Sequence, residues 1–138
     1  MPEITIKMAE SDEEHDAART LCREWLDWHW NAYPKDWPVE GNPMDPEKFE
    51  EILADLPQIH ARPLGAILIA YVAGRPAGCV MYNQAQGQTS EFNRMFVSDN
   101  GRGHGIGRLL LKRMFQEMVN DGYSKVIFSS ATFLTHAR

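Results

Sequence analysis

The chain has 138 residues, 24% of them charged and 43% hydrophobic, with a net charge of −5 at pH 7. This length and composition are typical of one small globular domain, so we predict a single domain across residues 1–138. The longest apolar run, from Ala66 to Ala73, is too short to span a bilayer. The N-terminus lacks the regions of a signal peptide, so we expect a cytoplasmic protein with no membrane partner.

Two further observations exclude classes of ligand. Cys22 and Cys79 lie far apart and outside any C-x-x-C pattern, so we expect buried, reduced thiols and no metal site. The basic residues form one short patch rather than a stripe with interleaved aromatic side chains, so nucleic acid is not an expected partner.

The first half of the chain predicts one strand and two helices. Residues 4–7 alternate as a strand, and Ser11 is a good N-cap for a helix that runs to about Asn31. After a loop over residues 33–43, Pro46 opens a second helix. The apolar face of this second helix is formed by Phe49, Ile52, Leu53 and Leu56.

The second half predicts three strands, a helix, a strand and a last helix. Residues 65–73 and 78–82 form a hairpin, and residues 91–97 form the next strand. A helix follows from about Gly103 to Asn120. The last strand covers residues 125–128, and a further helix starts within residues 132–138, which gives the order β-α-α-β-β-β-α-β-α.

The segment Arg102-Gly103-His104-Gly105-Ile106-Gly107 stands between a predicted strand and a predicted helix. A glycine-rich turn at this place exposes backbone N–H groups at a helix N-terminus, where they can bind phosphate. The stretch from residue 102 to 113 has no acidic residue and four basic ones: Arg102, Arg108, Lys112 and Arg113. These features predict an anionic ligand, although the residues alone leave open that the glycines only make a tight turn into the helix.

The glycine spacing fits neither a dinucleotide fingerprint nor a Walker loop. Arg102, Gly105 and Gly107 fit R-x-x-G-x-G, and residues 91–107 resemble the fourth strand, pyrophosphate loop and third helix of the GCN5-related N-acetyltransferase (GNAT) superfamily. The resemblance implies an α/β (α+β) fold with a mixed, mainly antiparallel central sheet and helices on both faces. It also implies transfer of an acetyl group from acetyl-CoA to a primary amine by direct attack, with a small-molecule or peptide amine as acceptor.

The resemblance also implies roles for individual residues. Glu91 would be the catalytic base, although a structural carboxylate paired with Arg94 or capped by backbone donors is the alternative. The Met95 N–H would stabilise the oxyanion. Backbone of Met95, Phe96 and Val97 would hold the pantetheine arm of acetyl-CoA. The cofactor-binding loop would consist of Arg102, Gly103, His104, Gly105, Ile106, Gly107 and Arg108, with N–H groups from Gly103 to Gly107 on the pyrophosphate and charge from the two arginines. The His104 side chain itself is expected to face solvent.

Aromatic residues cluster in and after the first helix. Trp25 and Trp28 have helical spacing from Leu21, which favours a place in the core. Tyr33 and Trp37 stand beside prolines in the loop, so we predict that they contact the substrate.

After Arg138 the sequence lacks the strands that follow in similar proteins, together with a tyrosine that usually protonates the leaving thiolate. We therefore expect either self-association, most simply as a homodimer across the edge of the last strand, or a chain that is only part of the native polypeptide. The alternative function is an acyl-CoA-binding module without turnover.

Overall fold

The computed structural model describes residues 3–32 and 46–128. Five strands and four helices follow one another in these residues, with a short 3₁₀ turn at Asp99–Gly101 before the last helix. In chain order they are β1 (Ile4–Met8), α1 (Asp12–Ala32), α2 (Pro46–Ala54), α3 (Leu56–Ile59), β2 (Ala66–Val72), β3 (Arg75–Gln86), β4 (Thr89–Val97), α4 (Ile106–Asn120) and β5 (Lys125–Phe128).

The strands form one sheet in the order β1-β2-β3-β4-β5. Every neighbouring pair is antiparallel except β4 and β5, which are parallel. The predicted mixed, mainly antiparallel sheet is therefore confirmed.

Each face of the sheet has its own hydrophobic core, which confirms the prediction of helices on both faces. On one face α1, α2 and α3 pack against β2 and β3 through residues that include Leu21, Phe49 and Met81. On the other face α4 packs through Ile106, Leu110, Met114 and Met118. These four residues recur every fourth position, so one stripe of the helix is buried.

The predicted helix boundaries hold at some ends and fail at others. Ser11 is confirmed as the N-cap of α1: its Oγ accepts the Glu14 N–H at 3.1 Å, and its N–H donates to the Glu14 carboxylate at 3.0 Å. The second helix ends at Ala54 instead of continuing through Leu56, and the separate turn α3 follows. Pro57 explains this break, because it has no N–H to donate to the preceding turn.

The strands agree with the prediction in number and order but not in length. β3 extends to Gln86 rather than ending at Tyr82, because it pairs with β4 as far as the contact between Gln86 and Thr89. Its last residues are polar and lie beyond the predicted strand, whereas the structure uses them in a long hairpin. The predicted final helix at residues 132–138 lies outside the described residues.

A polar cluster joins the loop after α3 to β3 and to the C-terminal end of α4. Arg62 donates two hydrogen bonds to the Asp121 carboxylate, at 2.7 and 2.5 Å, and the Tyr82 hydroxyl donates to the same carboxylate at 2.5 Å. The Asp121 side chain is only 4% exposed. Burial has the largest influence and would raise the pKa of Asp121, but the hydrogen bonds from Arg62 and Tyr82 and the Arg62 charge outweigh it, so the pKa lies below its ordinary value.

Among the helices in residues 3–32 and 46–128, none combines the length and apolar character needed to cross a membrane. Cys22 and Cys79 are both buried, as predicted, and neither forms a disulfide bond within the described residues.

Candidate active site

A β-bulge interrupts β4 close to its C-terminal end. Phe96 pairs with Cys79 and Asn93 pairs with Met81, so two residues of β4, Arg94 and Met95, lie opposite the single residue Val80. A bulge of this kind adds an unpaired residue, bends the strand and changes which way the following side chains point.

The bulge reverses the alternation of side chains along β4. Phe92 and Met95 both pack against the core on the α4 side, although they are three positions apart, and Phe96 packs against the core on the α1 side. In a regular strand residues 92 and 95 would lie on opposite faces. Glu91 and Asn93 alternate with Phe92, which places them on the α1 face of the sheet.

The end of β4 also has an unpaired edge. β5 pairs with β4 only from Thr89 to Phe92, and from Asn93 to Val97 no strand among the described residues pairs with that edge. Backbone groups on such an edge can bind an extended ligand in the manner of an added strand. The bulge and the unpaired edge therefore coincide at Met95, Phe96 and Val97.

The glycine-rich loop enters α4 in a conformation that needs glycine. Gly103 and Gly105 have φ values of +84° and +71°, in the left-handed region, and a Cβ on either would meet no atom within 4 Å. The space beside both glycines is therefore open, and these two φ values explain why α4 begins at Ile106 rather than near Gly103 as predicted.

The first turn of α4 presents backbone donors beside this open space. Its first hydrogen bond runs from the Leu109 N–H to the Gly105 carbonyl at 3.1 Å. The N–H groups of Ile106, Gly107 and Arg108 precede that bond, and none donates to a backbone carbonyl in the part of the chain that the structure describes. Such donors at a helix N-terminus form a site for a phosphate group.

Close packing fixes the loop against the sheet. A Cβ on Gly101 would lie 2.7 Å from the Ala77 carbonyl oxygen, which leaves room only for glycine. Buried Ser98 donates to that same oxygen through its N–H at 2.8 Å and its hydroxyl at 3.1 Å. The loop is therefore held against β3, and the first turn of α4 lies next to the bulge of β4.

Two of the four basic residues predicted to surround the loop with positive charge form ion pairs. Arg102 lies 3.2 Å from the Asp99 carboxylate, an exposed pair that partly neutralises it. Arg113 donates to Glu117 at 2.9 Å, lower on α4. Arg108 and Lys112 are exposed and four residues apart, so they share one face of the helix. The positive charge near the loop is thus carried by Arg102, Arg108 and Lys112.

Glu91 is half-buried and lies beside two asparagines. It pairs across the strands with Asn83, and the Asn93 side chain donates to the Asn83 side-chain oxygen at 2.5 Å and to the Glu91 carbonyl at 3.4 Å. Sequence reasoning missed both asparagines: Asn83 follows the predicted end of β3 and looks like the start of a loop, and the partner of Asn93 is known only once the two strands are paired.

The remaining predicted residues have mixed outcomes. Trp25 is partly buried and stacks on Phe49 with the ring centroids 6.0 Å apart, in agreement with a place in the core. The same prediction is wrong for Trp28, which is 39% exposed because it lies on the outer side of α1. Tyr33 and Trp37 lie outside the described residues. The His104 side chain is partly buried rather than facing solvent freely.

Comparison with known proteins agrees with this geometry. The model of the acetyltransferase (GNAT) family matches residues 22–138. The chain therefore belongs to the GNAT family of acetyltransferases. No curated protein sequence matches it.

Solved structures show the same fold at low sequence identity. An acetyltransferase from Streptococcus agalactiae is 14% identical, with a TM-score of 0.71 over 97% of this chain and 77% of that one. The PaiA N-acetyltransferase from Thermoplasma acidophilum, in complex with coenzyme A, is 17% identical, with a TM-score of 0.69 over 98% and 84%. The aminoglycoside N-acetyltransferase AAC(6′)-Iy in complex with CoA is 17% identical, with a TM-score of 0.67 over 99% and 83%.

Proposed function

We propose that this chain is an N-acetyltransferase that transfers the acetyl group of acetyl-CoA to a primary amine by direct attack. The observation that carries the proposal is the junction of β4 and α4, where a bulged, unpaired strand end meets a set of free helix N-terminal donors. The structures of two similar proteins, PaiA and AAC(6′)-Iy, contain coenzyme A, which supports this co-substrate.

The residues at the junction fit the two halves of coenzyme A. The open space beside Gly103 and Gly105 lets a pyrophosphate approach the backbone closely, and Ile106, Gly107 and Arg108 contribute N–H groups. Arg102 and Arg108 add positive charge. The edge of β4 that β5 does not cover, at Met95, Phe96 and Val97, suits the amide groups of the pantetheine arm. The N–H groups of Gly103, His104 and Gly105 complete the set of backbone donors that we propose for the pyrophosphate.

Acetyl-CoA supplies a thioester whose acetyl group is activated for transfer. The nitrogen of the acceptor must first lose a proton if it is an ammonium, and the Glu91 carboxylate takes this proton. The neutral amine then attacks the carbonyl carbon, and the Met95 N–H donates a hydrogen bond to the oxygen, which gains negative charge. The C–N bond forms, the C–S bond breaks, and the second proton of the amine nitrogen passes to the departing sulfur, so CoA leaves as a thiol. Glu91 then returns the first proton to water.

The acceptor is a small-molecule or peptide amine in this proposal. Several similar structures are aminoglycoside acetyltransferases, which supports an amino-sugar acceptor. Another is a ribosomal-protein-alanine N-acetyltransferase, which supports a peptide N-terminus. Tyr33 and Trp37 remain the proposed aromatic contacts to the acceptor. The site needs no metal, and we propose a cytoplasmic location.

The test is release of free thiol from acetyl-CoA with a panel of three amines: spermidine, kanamycin and a peptide with an N-terminal alanine. We expect thiol release that depends on at least one amine, with the acetylated amine detected by mass spectrometry. CoA binding by calorimetry, without amine-dependent thiol release, would instead support an acyl-CoA-binding module.

A further inference from the structure

We infer that the Asn93 side chain binds the acceptor amine and that Asn83 is a positioning residue that holds it in place. The inference rests on the proposed function, since it concerns the acceptor side of the same junction. The sequence alone did not indicate a role for Asn93.

Asn93 lies on β4 between Glu91 and the bulge. It is the last residue before the bulge whose side chain lies on the α1 face, the face that also carries Glu91. Two residues of extended strand span roughly 7 Å, whereas the four residues from Glu91 to Met95 span roughly 13 Å. Asn93 is therefore nearer than the proposed base to the N–H that would receive the developing oxyanion.

Two hydrogen bonds hold the side-chain amide of Asn93 in one orientation. Its Nδ2 donates to the Asn83 Oδ1 at 2.5 Å and to the Glu91 carbonyl at 3.4 Å. Both side chains are half-buried, so water competes less with these bonds than at an exposed site.

This arrangement leaves the side-chain oxygen of Asn93 available to a ligand. Both hydrogens of the Asn93 amide are used, and no described residue donates a hydrogen bond to its Oδ1. An amide oxygen can only accept, so its partner must be a donor such as an amine or ammonium N–H. A neutral primary amine that donates one N–H to this oxygen has its lone pair directed elsewhere, free to attack the thioester.

The kinetic test uses Asn93→Leu, which removes the amide while keeping a similar shape, with Asn120→Leu on the exposed end of α4 as the matched control. A hydrogen bond to a charged group predicts a rise of about 10- to 100-fold in the KM for the most active amine of the panel. Asn83→Leu should raise this KM in the same direction but less. The affinity for CoA, measured by calorimetry, should be unchanged in all three variants. An unchanged amine KM in folded Asn93→Leu would overturn the inference.

A second measurement decides the inference even if none of the three amines is acetylated. The side-chain amide resonances of Asn93, identified by their loss in Asn93→Leu, are followed while each amine is added to CoA-saturated protein. We expect at least one amine to shift them, and no shift with any of the three would overturn the inference. If CoA itself leaves the Gly103 and Gly105 resonances unchanged, the proposed function fails. This outcome differs from a failure of the inference about Asn93, in which CoA shifts the glycine resonances and no amine shifts those of Asn93.

Discussion

Gly107 lies so close to Met95 that a Cβ atom on the glycine would be 2.9 Å from the Met95 Cε. The first turn of α4 is therefore packed directly on the bulge of β4. This contact, together with the packing of Gly101 on the Ala77 carbonyl, places the helix donors proposed for the pyrophosphate next to the backbone N–H proposed for the thioester oxygen. A site with two ends needs such a fixed separation, because an error of about 1 Å in placing reacting groups can cost about 100-fold in rate.

The loop prediction concerns Gly105. Gly105→Val places a branched side chain in the open space where we expect the pyrophosphate, so CoA binding should be lost while the protein stays folded. Gly87→Val is the matched control, because Gly87 also has a positive φ of +55° and open space around it, but lies in the β3–β4 turn. Each variant should lose about 1–2 kcal/mol of stability from backbone strain. Equal CoA affinity of the two variants by calorimetry would contradict the assignment of the loop.

The catalytic prediction concerns Glu91. Glu91→Gln removes the proposed base while keeping a similar shape, so turnover at neutral pH should fall about 100-fold or more. CoA affinity should be almost unchanged, and the defect should shrink at higher pH, where solvent deprotonates more of the amine. Glu51→Gln, on the exposed side of α2, is the control. Near-normal turnover with an unchanged pH profile would show that Glu91 has a structural role.

The charge prediction uses the pair of Asp99 and Arg102. Both side chains are exposed, at 94% and 62%, so each should change CoA affinity only about 2- to 5-fold. Arg102→Gln should weaken CoA binding and Asp99→Asn should strengthen it, because the aspartate neutralises the arginine. Both effects should shrink as salt is added. Titrations of CoA at low and high ionic strength measure this, and changes of the same sign in both variants would contradict it.

The stability prediction concerns Asp121. Its lowered pKa means that it binds a proton more weakly in the folded chain than in the unfolded one. The stabilisation is therefore complete above the ordinary pKa of 3.8 and is lost as the pH falls through the folded pKa. Asp121→Asn should lower the free energy of unfolding at neutral pH by about 1–3 kcal/mol.

The matched control for Asp121 is Asp16→Asn. Asp16 also pairs with an arginine, Arg19, at 2.6 Å, but it is 73% exposed. This variant should lose less than about 1 kcal/mol. Urea unfolding from pH 2 to pH 7 should show a weaker acid dependence in Asp121→Asn than in the wild type. An equal acid dependence would show that the cluster with Arg62 and Tyr82 adds no pH-dependent stability.

The order of elements and the helix faces could be predicted from local signals. Ser11 and Glu14 specify the start of α1, and the apolar residues of α4 recur at helical spacing. The place of the glycine-rich loop before α4 also follows from its glycines. The signals that failed depend on contacts distant in sequence: the length of β3 is set by its pairing with β4, and the exposure of Trp28 by which side of α1 faces the sheet.

Other parts of the site have no signal in a single sequence. Nothing in the residues around Met95 marks a bulge, because a bulge is a mismatch between two strands rather than a property of one. The Asn83–Asn93 hydrogen bond joins positions ten residues apart across a hairpin, so it appears only once the register is known. The pair of Arg102 and Asp99 was missed because Asp99 lies three residues before the basic stretch of residues 102–113.

The most direct test of the account is the pattern of backbone amide shifts when CoA is added to the protein. If the junction of β4 and α4 is the acetyl-CoA site, the largest changes should fall on two segments, Gly103–Arg108 and Met95–Val97. The C-terminal half of α4, from Arg113 to Asn120, should change little. The largest shifts at that end of α4, with the glycine loop unaffected, would contradict the account.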